Sequence, residues 1–197
     1  MRWRWLENFG LAVAALGCSG ASAADFSGSP GFPPAPPPFA IVQELRLGAY
    51  AHNWIDNESA PVDLSIETLS SPLPWASFSN PYANWFLSPR VNFGAMINTG
   101  GKTSYAFGGF NWRIPIVGPV FFEGEFGGAV NDAVREPTYG RVDLGCAVTF
   151  RESGGVGTQL TPQADIIFNI EHISHANLCG PINPGITDIG FRIGYRF

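Results

Sequence analysis

The residue types best suited to bond-breaking chemistry sit near the end of this 197-residue chain, where His172 and Ser174 flank Ile173 in the segment Glu171-His172-Ile173-Ser174-His175. Side chains of an extended strand alternate between faces, so residues two apart project from the same side. An imidazole and a hydroxyl so placed can act as base and nucleophile. The imidazole takes the hydroxyl proton, the alkoxide attacks an ester carbonyl, and backbone N–H groups after the serine stabilise the oxyanion. Ile166, Phe168 and Ile170 share this parity while Asp165, Asn169 and Glu171 take the other, so the pair continues an apolar face. Polar residues are also common at strand ends that reach headgroup depth, so the meaning of the pair depends on the elements around it.

Those elements are strands. Val142, Leu144, Cys146, Val148 and Phe150 alternate with Arg141, Asp143, Gly145, Ala147 and Thr149, and Phe122 to Val130 alternate with Glu123, Glu125, Gly127 and Ala129. The same period of two runs through Val91, Phe93, Ala95 and Ile97, and through Leu45, Leu47, Ala49 and Ala51 against Glu44, Arg46, Gly48, Tyr50 and His52. Weaker runs near 62–69 and 103–113 and stronger ones near 163–174 and 187–197 bring the expectation to eight strands, separated by Gly, Pro, Asn and Asp turns, with no helical pattern of convincing length. The expected fold is all-β, an eight-stranded antiparallel up-and-down barrel. Three features favour an outer-membrane barrel, apolar face outward, over a lipocalin-like one. The polar faces mix glycine with ion-pairing candidates, Arg46 with the neighbours of Glu44 and Arg141 with Asp143 or Glu123. Trp54, Trp85, Trp112 and Tyr195 mark strand ends as interfacial girdles do, and the last strand closes on Phe191, Ile193, Tyr195 and Phe197. With both chain ends in the periplasm, odd strands run outward. His172 and Ser174 then fall at the outer rim of the seventh strand, in the leaflet that holds lipopolysaccharide.

Composition narrows the remaining classes. Only 14% of residues are charged and Lys102 is the single lysine, so no basic patch serves a nucleic-acid backbone. Residues 1–23, with Arg2 and Arg4 before the apolar Leu11 to Leu16 and Ala21-Ser22-Ala23 at the end, read as a secretory signal peptide. Cys18 is a poor match to a lipoprotein box. Residues 24–39 form a proline-rich tether, and 40–197 the barrel. Beyond the signal only Cys146 and Cys179 remain, one mid-strand by pattern and one in a Gly/Pro-rich loop, too few for a disulfide-rich scaffold. No zinc-type Cys/His spacing, P-loop or dinucleotide fingerprint is present, so no cofactor and no metal are expected. His52, alone in the sequence and on the inward parity of the first strand, reads as a hydrogen-bonding group of the lumen.

The segment Glu171 to Leu178, with Asn183-Pro184-Gly185 and the ending Gly190-Phe191-Arg192-Ile193-Gly194-Tyr195-Arg196-Phe197, resembles the C-terminal signature of the PagL-type lipid A 3-O-deacylases, also called acyloxyacyl hydrolases. Glu44 to Gly48 through His52, and Asn98 to Thr103, fit the same resemblance more weakly. It implies an outer-membrane barrel that removes the ester-linked acyl chain at position 3 of lipid A, with His172 as base and Ser174 as nucleophile. Its expected partners are lipopolysaccharide and outer-membrane lipids, and its membrane-facing site is compatible with a homodimer. The family's acid position falls here on Thr187, and Asp188 follows. By parity Thr187 faces lipid and Asp188 the lumen, unless a bulge at Pro184-Gly185 turns Asp188 outward to serve as the acid. His175 stands where the family has an oxyanion-hole Asn, and His175 and Asn177 are the candidates for oxyanion or substrate contacts. These departures leave a second expectation, a weakened or inactive barrel of the same ancestry with a lipopolysaccharide-binding or envelope-structural role.

Overall fold

The computed structural model describes residues 38–55, 58, 62–74, 80–136, 138–181 and 183–197. The signal peptide, Cys18 and the tether up to residue 37 lie outside these. The described chain is a closed antiparallel barrel of β1 (Glu44–Ala51), β2 (Asp63–Pro72), β3 (Arg90–Asn98), β4 (Tyr105–Val117), β5 (Val120–Asn131), β6 (Val148–Gln159), β7 (Ala164–Ser174) and β8 (Ile186–Arg196). Each strand pairs with its sequence neighbour, and β1 closes on β8 through partners running from Glu44↔Arg196 to Ala51↔Ile189.

The barrel is inverted relative to a soluble protein. Leu47, Phe93, Phe126, Phe191 and Ile193 are each more than half exposed, while Arg46, Arg151, Arg192 and nine carboxylates are buried inside. Arg46 donates from both terminal nitrogens to the two oxygens of Glu123 at 2.7 Å and from Nε to Glu44 at 2.6 Å. Arg151 grips Glu171 at 2.7 and 2.8 Å and lies over the Phe107 ring at 3.7 Å. Arg192 reaches Glu67 and Glu123 at 2.9 and 3.1 Å. Bidentate guanidinium–carboxylate geometry is the strongest form these contacts take, and it fills the lumen with side chains rather than water.

The sixth strand differs from the sequence reading. It begins at Val148, and residues 142–147 form a loop. Gly145 has φ of +63°, the Cys146 N–H turns back to the Leu144 carbonyl at 2.6 Å, and the alternation breaks there. Val142 and Leu144 are consequently buried in an apolar cluster with Tyr50, Met96, Tyr105 and Ile173, while Val148 and Phe150 face outward. Arg141 pairs with Glu58 at 3.1 Å rather than with Asp143 or Glu123. Cys146 lies in this loop, not in a strand, and is bonded to Cys179 across 33 residues of sequence. A cross-link of that span removes roughly 4 kcal/mol of unfolded-chain entropy in the loop-closure account.

One short helix also escaped the sequence pattern, α1 (Pro81–Leu87), between β2 and β3. Asn80 caps it by accepting from the Tyr82 and Ala83 N–H groups, with Pro81 at its first position. At under two turns it is too short to show a period. Trp85 and Trp112, expected as girdle residues, meet here: their indole N–H groups donate to the Arg113 and Phe86 carbonyls, and Phe86 stacks on Trp112.

The inverted lumen predicts a heat-modifiable band on electrophoresis of the purified protein. Glu123→Gln, which deprives Arg46, Arg113 and Arg192 of a shared charge, should cost about 3–5 kcal/mol, read as a lower urea midpoint of the detergent-refolded barrel. Phe93→Leu on the outer face should leave that midpoint nearly unchanged.

Candidate functional site

Burial of Ile173 sets the direction of its neighbours. Ile173 has no exposed surface and packs into the apolar cluster at the mouth remote from the chain ends, so His172 and Ser174 on either side project from the outer face. They stand one strand repeat apart, about 6.6 Å along the backbone.

Across the β7–β8 pair His172 is opposite Thr187 and Glu171 is opposite Asp188, with no shift of register between Ala164 and Ile173. The bulge that would turn Asp188 outward is therefore absent from this pairing. Thr187 Oγ1 lies 2.8 Å from His172 Nδ1. Thr187 is itself held by the turn after β1: the Trp54 N–H donates to its carbonyl at 2.7 Å, and its N–H reaches Asn53 Oδ1 at 3.4 Å. Gly185, with φ of +70°, closes against the other side of the imidazole, where a Cβ would sit 2.9 Å from Nε2 and closer still to Cε1. A histidine donating from Nδ1 to Thr187 keeps its Nε2 lone pair free to take a proton. Asp188 is buried in the lumen, accepting from the Asn53 N–H at 2.8 Å and the Tyr105 hydroxyl at 3.0 Å. Its place is on the wrong face to orient His172. Glu171 is likewise inward, in the grip of Arg151.

The two other sequence candidates follow Ser174 into the turn. His175 is buried against Gly145 and the Cys146–Cys179 bridge, its N–H donating to Asn183 Oδ1 at 3.0 Å and its Nδ1 accepting from the Cys179 N–H at 3.3 Å. Asn177 is exposed, at φ of +61° in a tight turn. The 33-residue cross-link thus ties down the segment that carries the N–H groups after Ser174.

The sequence reading missed Glu152. It faces outward on β6, directly opposite His172, and both line a groove of about 490 Å³ with Phe122, Gly154, Phe168 and Ile170. The groove exists because Gly124 and Gly154 pair across β5 and β6 with no side chains to fill it. Extending the Val148/Phe150 alternation into β6 would have revealed Glu152. A second apolar recess of about 530 Å³ lies beyond Phe150, roofed by Leu178 and the disulfide.

Inside the mouth, His52 is no longer alone. Its Nδ1 lies 2.7 Å from Asp63 Oδ2 and 3.7 Å from Asp188 Oδ1, and its Nε2 lies 3.7 Å from Glu58. The expected hydrogen-bonding role in the lumen is what it has. Burial works against a charge on this imidazole, yet the carboxylates of Asp63, Glu58 and Asp188 outweigh it and hold the proton up to a pKa of about 9.

Comparison with known proteins bears on the fold and the family. The crystal structure of the outer membrane enzyme PagL superposes with a TM-score of 0.57 at 16% identity, over 78% of this chain and 99% of that one. Neisserial surface protein A matches at 0.48 and 11% identity, over 82% and 100% of the two chains, and a de novo designed transmembrane β-barrel at 0.47 and 8%, over 80% and 97%. No curated protein sequence matches. The family description that reads "Lipid A 3-O-deacylase (PagL)" matches residues 43–196, nearly the whole barrel, and with that span the chain belongs to the PagL family of outer-membrane lipid A deacylases.

Proposed function

We propose that this protein hydrolyses the ester-linked acyl chain at position 3 of lipid A in the outer leaflet, by a serine–histidine mechanism. Residues 1–23 direct its export and 24–39 tether the barrel. The observation that carries the reading is the outward His172, with Nδ1 held by Thr187 at 2.8 Å and Ser174 next along the same face. His172 Nε2 accepts the Ser174 proton, the alkoxide attacks the ester carbonyl, and the imidazolium returns the proton to the departing sugar hydroxyl. Water then repeats the sequence on the acyl-enzyme. The acyl chain runs down the groove below His172, and Glu152 accepts a hydrogen bond from a donor on the substrate near the ester. The N–H groups of Ala176 and Asn177, in a turn kept in place by Asn183 and the disulfide, face the oxyanion.

Thr187 is the observation that favours a second reading. A hydroxyl fixes the imidazole ring but adds no negative charge to stabilise the imidazolium, and loss of that charge costs several orders of magnitude in serine proteases. A slow enzyme, or a barrel retained for binding lipopolysaccharide, fits that loss.

Mass analysis of lipid A from membranes with and without the protein distinguishes the two. Loss of one 3-position acyl chain with wild type, and intact lipid A with Ser174→Ala or His172→Ala in equally folded barrels, supports hydrolysis. Intact lipid A with wild type supports the binding role, and unchanged deacylation by Ser174→Ala removes the proposed nucleophile.

Register gives a sharper expectation for the third position. Thr187→Glu sets a carboxylate against His172 Nδ1 and should raise turnover at least tenfold, roughly 1.4 kcal/mol of barrier. Asp188→Asn should leave the turnover of folded enzyme within a few-fold of wild type. The reverse pattern would show that the acid acts from the lumen side.

In the groove, Glu152→Gln should lower kcat/KM about 10- to 100-fold, the worth of one hydrogen bond to a charged acceptor. Gly154→Leu is accommodated by the backbone, since a Cβ there meets only the Phe122 ring at 4.0 Å. It fills the trough and should slow long-chain substrates more than short-chain ones.

A further inference from the structure

We propose that His52, Asp63 and Asp188 form a binding site for one divalent cation of the zinc class, in the barrel mouth behind the outward-facing site. The three side chains are buried, come from the β1–β2 connection, β2 and β8, and present donor atoms within 4.8 Å of one another. Zinc holds nitrogen and oxygen donors at about 2.0–2.2 Å in a tetrahedron, which sets neighbouring donors roughly 3.3 Å apart. The His52 Nδ1 separations of 2.7 Å from Asp63 and 3.7 Å from Asp188 bracket that value. A transition metal suits an imidazole with two carboxylates, whereas calcium and magnesium favour all-oxygen sets.

Two independent observations point to a ligand. The first is His52 Nε2, a fully buried atom with no hydrogen-bond partner, aimed at Glu58 from 3.7 Å. Metal-bound histidines characteristically donate their second ring N–H to a carboxylate, and the free carboxylate oxygens of such sites are hydrogen-bonded in turn. Glu58 stands on the Nε2 side at 3.7 Å, and the second arrangement is in place: Asn98 Nδ2 donates to Asp63 Oδ1 at 2.6 Å, and the Tyr105 hydroxyl bonds Asp188 Oδ2 at 3.0 Å. The second is charge. Among the described residues nine buried carboxylates face seven arginines in ion pairs, Arg46, Arg90, Arg113, Arg141, Arg151, Arg192 and Arg196. Against the arginines two negative charges remain over, and they gather at this mouth, where Glu58, Asp63, Glu171 and Asp188 meet Arg141, Arg151 and His52, whose proton offsets only one of them. A divalent ion balances them with His52 neutral, entering as the His52 proton leaves.

The site touches the outward face through the backbone. Asn53, next to His52, bonds Asp188 through its N–H and Thr187 through its side chain, and Thr187 holds His172. An ion fixing His52 and Asp188 fixes the end of β8 on which the imidazole rests.

The full-length mature protein, refolded in detergent and stripped with chelator, is titrated with zinc chloride alone, and bound metal is measured by calorimetry and elemental analysis. About one zinc per folded barrel is expected. Asp63→Asn and Asp188→Asn should each bind at least tenfold more weakly, and Glu58→Gln, which removes only the second-sphere acceptor, about 10- to 100-fold more weakly. Ser174→Ala and His172→Ala should take up zinc as wild type does, which separates this site from the outward pair and from the deacylase reading. Folding of each variant is read from its heat-modifiable band, and if the aspartate variants do not fold, Glu58→Gln decides. No stoichiometric uptake by wild type, uptake unchanged in the folded variants, or equal affinity for calcium and zinc would each overturn the proposal.

Discussion

Everything in this barrel depends on the buried guanidinium–carboxylate lattice of its lumen. Arg46, Arg151 and Arg192 lie without solvent contact, and each is tolerable there only because carboxylates from several strands converge on it. That requirement fixes the parity of every contributing strand. A one-residue slip of β5 would send Glu123 and Glu125 to the apolar face and strip Arg46 and Arg192 of two of their carboxylate partners each. The lattice therefore decides which residues face lipid, and through them where the outward histidine and serine stand.

The same parity governs the most consequential departure from the family pattern. Thr187 and Asp188 are neighbours in sequence, yet the barrel wall separates them. The carboxylate is only one residue away from Thr187 and contributes nothing to holding the His172 ring. A hydroxyl on the right face does hold it, with Oγ1 2.8 Å from Nδ1. Orientation and charge stabilisation, which one carboxylate supplies together in a serine triad, are thus divided. Thr187 gives the first, and the nearest outward carboxylate, Glu152, stands opposite His172 on the other neighbouring strand.

Alternation made most of this legible in the sequence. Seven of the strands lie where the period of two places them, and the inward Asp188 and outward Thr187 follow from counting back from Phe197. What escaped was whatever depends on a local break or on cross-strand register. The apparent strand at 142–150 obeys the alternation throughout, but Gly145 in a left-handed conformation reverses its faces midway, so Val142 and Phe150 end on opposite sides of the wall. The pairing of Cys146 with Cys179 needs that loop to exist. Helix α1 rests on an Asn-Pro cap and on contacts between Trp112 and Phe86, not on any periodic face. Glu152 shows its importance only when β6 is set against β7. His52 looked solitary because its carboxylate partners come from residues 6 to 136 positions away.

The turn after β1 links these two sides of the wall. Asn53 takes a left-handed conformation, with φ of +43°, at a buried position, a strained arrangement for a residue with a side chain. Its backbone N–H is spent on the lumen, to Asp188, while its side chain and the following Trp54 N–H are spent on Thr187. A single turn thereby fixes the depth of β8 from inside and outside at once. Movement of the charged cluster in the mouth cannot leave the histidine's support unmoved, because both are bonded to Asn53. The rigidity of a lipid-facing site, which has no protein on its open side to hold it, is in this way drawn from the polar interior behind it.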